Sequence, residues 1–90
     1  MLSLVIVLRG SLMKNLLHYI RATITQGEES GYVGECHGVA IVTQGGTLDE
    51  VSLNLQEAVE LYFEDENPEE LGFVAKPLLM ITIELQPAYA

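Results

Sequence analysis

Two adjacent glycines stand before a threonine and two acids, an order that suits either phosphate binding or a helix start. Backbone N–H groups at a glycine-rich helix start can hold a phosphate. This segment lacks the lysine of a phosphate-binding loop and the third glycine of a dinucleotide fingerprint. Asp49 and Glu50 would also repel an anion. We therefore expect an architectural role, in which the glycines permit positive φ angles and the threonine caps a helix. The predicted structural junction comprises Gly45, Gly46, Thr47 and Glu50.

The second group with chemical potential is Glu35-Cys36-His37, together with the distant His18. A structural zinc site needs four ligands at a recognisable spacing, which is missing here. Neighbours in a strand point to opposite faces, so Cys36 and His37 cannot form a nucleophile–base pair. If Cys36 and His18 share the sheet face that meets the helix, we expect both to be small core residues. The sequence therefore predicts no metal site, no cofactor site and no catalytic residue.

The many acids between positions 57 and 70 show no paired-carboxylate pattern and are typical of a solvated face. A ribonuclease H-like nuclease would need metal-binding acids at strand ends. The first predicted strand, residues 16–24, has none. We expect a protein that is not an enzyme.

The charge balance restricts the class of partner. Four Lys and Arg residues face thirteen Asp and Glu residues, giving a formal net charge of −9 over 90 residues. Nucleic-acid binders neutralise phosphates with Lys and Arg, so direct binding of DNA or RNA is not expected. A basic protein is the natural complement of such a surface. The single cysteine excludes an internal disulfide and favours the cytoplasm.

The first residues form an apolar run at positions 2–8, which is too short to span a bilayer and lacks the features of a signal peptide. We expect residues 1–12 to be an extension or a disordered arm, with translation starting at Met13. A short edge strand at residues 2–8 is the alternative. The folded domain is then residues 13–90, and no membrane association is expected.

Alternating apolar and polar residues predict strands at 15–25 and 32–36, joined by a glycine-containing turn, and a more uniformly apolar strand at 39–43. Thr47 and Glu50 then form a capping-box pattern ahead of an amphipathic helix at 48–63. Pro68 lies beyond the helix end. Residues 78–85 predict a last strand that is apolar enough to be buried on both faces.

This order predicts a single two-layer α+β domain, β-β-β-α-β. Short connections make the first three strands an antiparallel meander. The helix runs back across the sheet, so the last strand emerges parallel to the first and lies beside it. The expected sheet order is 3-2-1-4, with one helix on one face.

The stretch from residue 18 to 66 resembles the HicB-like antitoxin family, in which a strand of the type "dGyyvaecPel" leads to "tqGdTleEAlenlkEAielyle". Its most specific part is the Gly-x-Thr-x-x-Glu helix start. The matching positions are Gly31, Tyr32, Val33, Glu35, Thr43, Gln44, Gly45, Thr47, Leu48, Glu50, Asn54, Leu55, Glu57, Ala58, Leu61 and Tyr62.

The resemblance implies a reduced ribonuclease H-like fold without catalytic acids, and an antitoxin that binds and neutralises HicA, a small basic mRNA-cleaving toxin. It also implies dimers or tetramers. Many relatives carry a C-terminal DNA-binding segment, whereas five residues follow Leu85 here, so operator binding is not expected. The resemblance assigns no toxin-contacting residue.

One helix cannot cover both faces of a four-stranded sheet, so we expect a symmetric homodimer with the last strand and the second sheet face at or near the contact. The residues expected at this contact are Leu79, Ile81, Ile83 and Leu85. The alternative function is that of a stand-alone oligomeric structural protein without a toxin partner.

Overall fold

The computed structural model describes residues 15–89 and confirms the predicted element order and sheet order. Four strands form one mixed sheet in the order β3-β2-β1-β4, and a single α-helix lies on it. The predicted arm at residues 1–12 lies outside the described residues. The elements are β1 (Leu17–Gln26), β2 (Tyr32–His37), β3 (Val42–Gly45), α1 (Leu48–Glu64), a 3₁₀ turn (Pro68–Leu71) and β4 (Phe73–Ile83).

The hairpin of β1 and β2 is antiparallel, with Ala22 opposite Cys36. Its turn is closed by a hydrogen bond from Gly27 N to Gly31 O of 2.9 Å. Gly31 has φ 73°, and a Cβ there would lie 2.7 Å from the carbonyl oxygen of Gly45. Glycine is required at position 31 for both reasons, since the turn also approaches the end of β3.

The core lies between α1 and one face of the sheet. Ile20, Ala22 and Ile24 of β1 alternate with exposed or partly exposed residues, as predicted for a strand with one wet face. Val51 and Leu55 of α1 are fully buried against this face. The helix bounds agree with the prediction to within one residue, because the apolar stripe and the N-cap both mark them.

The strand β4 runs parallel to β1, with Ala22 opposite Ile81. It begins at Phe73, five residues before its predicted start. The ring of Phe73 is buried and meets that of Phe63 at 5.9 Å in an edge-to-face arrangement. The start was missed because Lys76 and Pro77 interrupt the apolar pattern, and the pairing with β1 is itself irregular between Leu17 and Tyr19.

The expectation that the last strand is buried on both faces is wrong for this chain by itself. β4 is an edge strand, and Leu78 is 63% exposed. The helix lies mainly over β2 and β3 and leaves β4 largely uncovered. Leu79 and Ile81 pack against the margin of the core on the helix side, whereas Leu85 lies beyond the strand end and is exposed.

The third strand was predicted at residues 39–43 and is found at Val42–Gly45. The preceding residues instead form a turn in which Gly38 has φ 88° and Cys36 N donates to Ile41 O at 3.0 Å. Ile41 is buried ahead of the strand, so its apolar character reflects a core position in a loop.

Candidate functional site

The junction before α1 is a helix cap. Thr47 is the N-cap residue, and its Oγ1 accepts a hydrogen bond from Glu50 N at 3.1 Å. The Glu50 carboxylate in turn accepts from Gly46 N at 3.2 Å. This reciprocal pair resembles a capping box, with the return bond placed one residue before the cap. The helix start is thus already occupied by the chain's own carboxylate, which agrees with an architectural role.

The expected positive φ angles at the two junction glycines are wrong, since neither Gly45 nor Gly46 has one. Gly45 is needed for a different reason. A Cβ on it would lie 3.0 Å from Val51 Cγ2 and 3.1 Å from Glu50 Cγ. The small residue lets the end of β3 lie against the first turn of the helix. A Cβ on Gly46 would make an ordinary contact with Glu50 Oε2 at 3.6 Å.

The structure separates the cysteine from the two histidines. Cys36 is buried in the core, and burial raises the pKa of its thiol. His18 is exposed, contrary to the expectation of a core position, because it lies where the pairing of β1 with β4 is interrupted. Between residues 15 and 89, no three His, Cys, Asp or Glu side chains are grouped so that they could hold a metal ion.

His37 lies on the sheet face opposite α1, where its Nε2 is 2.8 Å from Thr23 Oγ1. Sequence reasoning missed this pair, although the hairpin register places Arg21 opposite His37 and Thr23 next to it on the same face. A hydroxyl beside an imidazole can become a nucleophile–base pair when a third group orients the base. Among the hydrogen bonds of residues 15–89, none supplies that third group to the His37 ring, and the pair is exposed.

The strongest electrostatic feature is the outer surface of α1 and the 3₁₀ turn, here called the acidic surface. Between Leu48 and Leu71 the chain has nine of its thirteen acids and no Lys or Arg. All nine are exposed, because the apolar stripe of α1 takes the opposite side of the helix. They are Asp49, Glu50, Glu57, Glu60, Glu64, Asp65, Glu66, Glu69 and Glu70.

Two exposed leucines of α1 interrupt the acidic surface. Leu53 is 57% exposed and Leu61 is 63% exposed. With Glu57 they form a row at four-residue spacing, so the three side chains lie along one line on the solvent side of α1. Apolar anchors surrounded by charged side chains are the usual arrangement of a protein-binding surface. Here, exposed charges of one sign lie around two exposed leucines.

No protein-family model, curated protein or solved structure matches this chain. Within the part of the chain that the structure describes, no helix is long and apolar enough to cross a membrane.

Proposed function

We propose that this protein is a non-catalytic, HicB-like antitoxin that binds and neutralises a small basic HicA-type mRNA-cleaving toxin in the cytoplasm. The observation that carries the proposal is the acidic surface, whose exposed charges are all of one sign and surround Leu53 and Leu61. The resemblance of residues 18–66 to the family supports it independently, because the resemblance rests on the helix start and the apolar stripe.

The charge of this surface serves recognition in two ways. A field of one sign steers a basic partner toward the helix and raises the association rate at low ionic strength. Exposed acids at the rim contribute little each to affinity, because water screens them. Burial of Leu53 and Leu61 against apolar groups of the partner would slow dissociation of the complex. The partner is therefore a protein with basic residues around a small apolar patch.

Neutralisation follows if the bound antitoxin covers the basic residues that the toxin uses to hold messenger RNA. A ribonuclease that contacts phosphates with Lys and Arg cannot bind RNA through the same side chains while they face Glu57 and Glu60. Within the described residues this chain contributes only Arg21 and Lys76 as basic side chains. We propose no direct contact between this protein and nucleic acid.

Co-expression with the protein encoded by the adjacent gene is the decisive experiment. We expect that neighbour to be a small basic ribonuclease that co-purifies with this chain, with binding that weakens steeply as salt is raised from 0.05 to about 0.5 M. Toxicity of the neighbour expressed alone should disappear on co-expression. A neighbour that is neither basic nor bound would contradict the proposal.

A stand-alone oligomeric structural protein is the second candidate function. The long, exposed and apolar edge of β4 favours it, because such an edge suits self-association. The two candidates differ in what co-purifies with the protein from the cells that make it. An antitoxin is recovered with a basic partner in stoichiometric amount, and a structural oligomer is recovered only with copies of itself.

A further inference from the structure

The two edges of the sheet differ in length and in chemistry. β3 forms one edge and has only four residues, whereas β4 forms the other and has eleven. A short edge offers few unpaired backbone groups, and a long apolar edge offers many. Residues 77–83 of β4 include no charged side chain. The β4 edge is the part of the described surface where another strand could add.

The hydrogen bonds to β1 show which backbone groups of β4 face outward. Glu84 N donates to Ile24 O at 2.8 Å, so the backbone of residue 84 faces β1. Since the direction alternates along a regular strand, and the register with β1 is unbroken from Leu78 to Ile83, the groups of alternate residues face outward. The outward-facing residues are Leu79, Ile81 and Ile83.

We propose that β4 pairs with β4 of a second copy, antiparallel and about a two-fold axis at Ile81, to give one continuous eight-stranded sheet. In this register Ile81 lies opposite Ile81 of the other copy, and Leu79 lies opposite Ile83. Each of these pairs exchanges two N–H···O bonds, because all of them use outward-facing groups. The inference does not depend on a toxin partner.

Two prolines bound the segment that can pair. Pro77 has no N–H to donate, and Pro87 follows the apolar segment at its other end. Within the regular part of β4, the outward-facing residues Leu79, Ile81 and Ile83 are centred on Ile81. In the proposed register Pro77 lies opposite Leu85, beyond the end of the strand, so its missing N–H falls outside these three pairs.

The side chains agree with this register. Leu79 and Ile81 lie on the α1 side at the margin of the core, and Ile83, opposite the buried Ile24, follows on the same side with 46% exposed. Because α1 lies mainly over β2 and β3, these side chains of the two copies would meet in the space between the two helices. Their mutual contact would bury the surface that α1 leaves open.

Charge favours a second copy at this edge over the acidic surface. The acidic surface repels the acidic surface of a second copy, since each chain has a net charge of −9. At the β4 edge, Lys76 lines a surface depression together with Tyr19 and Leu78, which places it on the face away from α1. Glu84 shares that face by alternation. In the proposed register Lys76 of each copy is the diagonal neighbour of Glu84 in the other, within reach of a long side chain.

Cysteine cross-linking tests the register. Facing residues at Ile81 would have Cα atoms about 5.5 Å apart, which a disulfide can bridge. In a Cys36→Ala background, Ile81→Cys should form a covalent dimer on mild oxidation. Leu79→Cys and Ile83→Cys should each form no covalent dimer alone and should cross-link when the two are mixed. Efficient cross-linking of Leu79→Cys with itself, or none by any of the three, would overturn the proposal.

Two measurements without introduced cysteines complete the test. Wild-type protein should sediment as a dimer at micromolar concentration, and a single species of 9.9 kDa would overturn the proposal. Lys76→Glu should raise the dimer dissociation constant about tenfold, since it places like charges at both symmetric contacts. The double variant Lys76→Glu/Glu84→Lys should restore it. Equal weakening by the double variant would count against the pairing of these residues.

Discussion

The acidic surface of α1 and the edge of β4 are opposite in kind. The first carries nine acids and no Lys or Arg, with isolated exposed leucines between them, and the second is apolar and uncharged over residues 77–83. Charge of one sign prevents two acidic surfaces from meeting and attracts a basic partner, whereas an apolar edge has no preference of sign and suits another copy. In the two proposals, binding of a different protein and binding of a second copy therefore use separate surfaces.

The largest expected effect comes from placing a charge on the β4 edge. Ile83→Asp puts a carboxylate opposite Leu79 of a second copy, where it would lose water without gaining a partner. We expect the dimer dissociation constant to rise at least about a hundredfold by sedimentation. Leu53→Asp is the matched control, since it adds the same charge on α1 and should leave self-association unchanged. Equal loss in both variants would erase the distinction between the two surfaces.

The close packing of α1 on the sheet depends on Gly34 of β2. A Cβ there would lie 2.8 Å from Val51 Cγ1 and 2.9 Å from Leu55 Cδ1. Gly34→Ala should therefore lower the free energy of unfolding by about 1–3 kcal/mol in urea. Gly46→Ala is the control, because a Cβ there would make only an ordinary contact, 3.6 Å from Glu50 Oε2, and Gly46 has no positive φ angle. Similar stability of Gly34→Ala and wild type would contradict the close packing of helix and strand.

Charge reversal at the centre of the acidic surface tests whether this surface, and not the β4 edge, binds the basic partner. Glu57→Lys should weaken binding of the basic partner about tenfold, mainly through a slower association rate at low salt. Its matched control is Glu35→Lys in β2, which changes the net charge equally. Glu35 lies on the sheet face opposite α1, because its neighbour Gly34 faces Val51 and Leu55. Dimerisation should be the same in both variants. If Glu35→Lys weakens partner binding as much, net charge rather than this surface decides recognition.

Removal of the helix cap should act on stability alone. Thr47→Ala removes the Oγ1 acceptor for Glu50 N and should lower the free energy of unfolding by about 1 kcal/mol. Thr47→Ser keeps the hydroxyl and should remain close to wild type. Thermal or urea unfolding of the two variants decides this, and equal destabilisation by serine would show that the hydroxyl is not what matters.

The smallest expected effect concerns alkaline pH. Burial raises the pKa of the Cys36 thiol above its ordinary value of 9.0, so the folded state disfavours the thiolate. The contribution is fully present below pH 9.0 and is lost as pH rises through the folded-state pKa. Cys36→Ala should flatten the decline in unfolding free energy above that pH. A slope unchanged by the substitution would assign the decline to other groups.

The sequence predicts the helix and the sheet order well for identifiable reasons. The stripe of Val51, Leu55 and Val59 and the cap at Thr47 are local signals, and both mark α1 directly. The sheet order follows from the short connections between the first three strands and from the helix, which crosses back over the sheet before the last strand. The failures all depend on contacts between distant segments. Ile41 is apolar because it fills the core from a loop, and β4 starts early because Phe73 packs on Phe63.

The candidate surfaces were predictable only in part. The acidity of residues 57–70 is visible in the sequence, but exposure of Leu53 and Leu61 depends on which side of α1 meets the sheet. Thr47 and Glu50 form the hydrogen bond that the capping-box pattern predicts, but the reason for Gly45 is the nearness of Val51 rather than its φ angle. The periodicity of apolar residues indicates which side chains share a face of a helix or strand, but it does not indicate which other segment packs against that face.

The shortness of β3 also bears on how large an assembly can grow. A protein whose two sheet edges were both long and apolar could add copies at each end and polymerise without limit. Here β3 offers four residues, and its neighbour Gly46 bends away into the helix cap. Once β4 is paired, both ends of the joined sheet are such short edges. If β4 pairs as proposed, growth stops at a closed pair, and fibrils built by edge-to-edge addition are not expected.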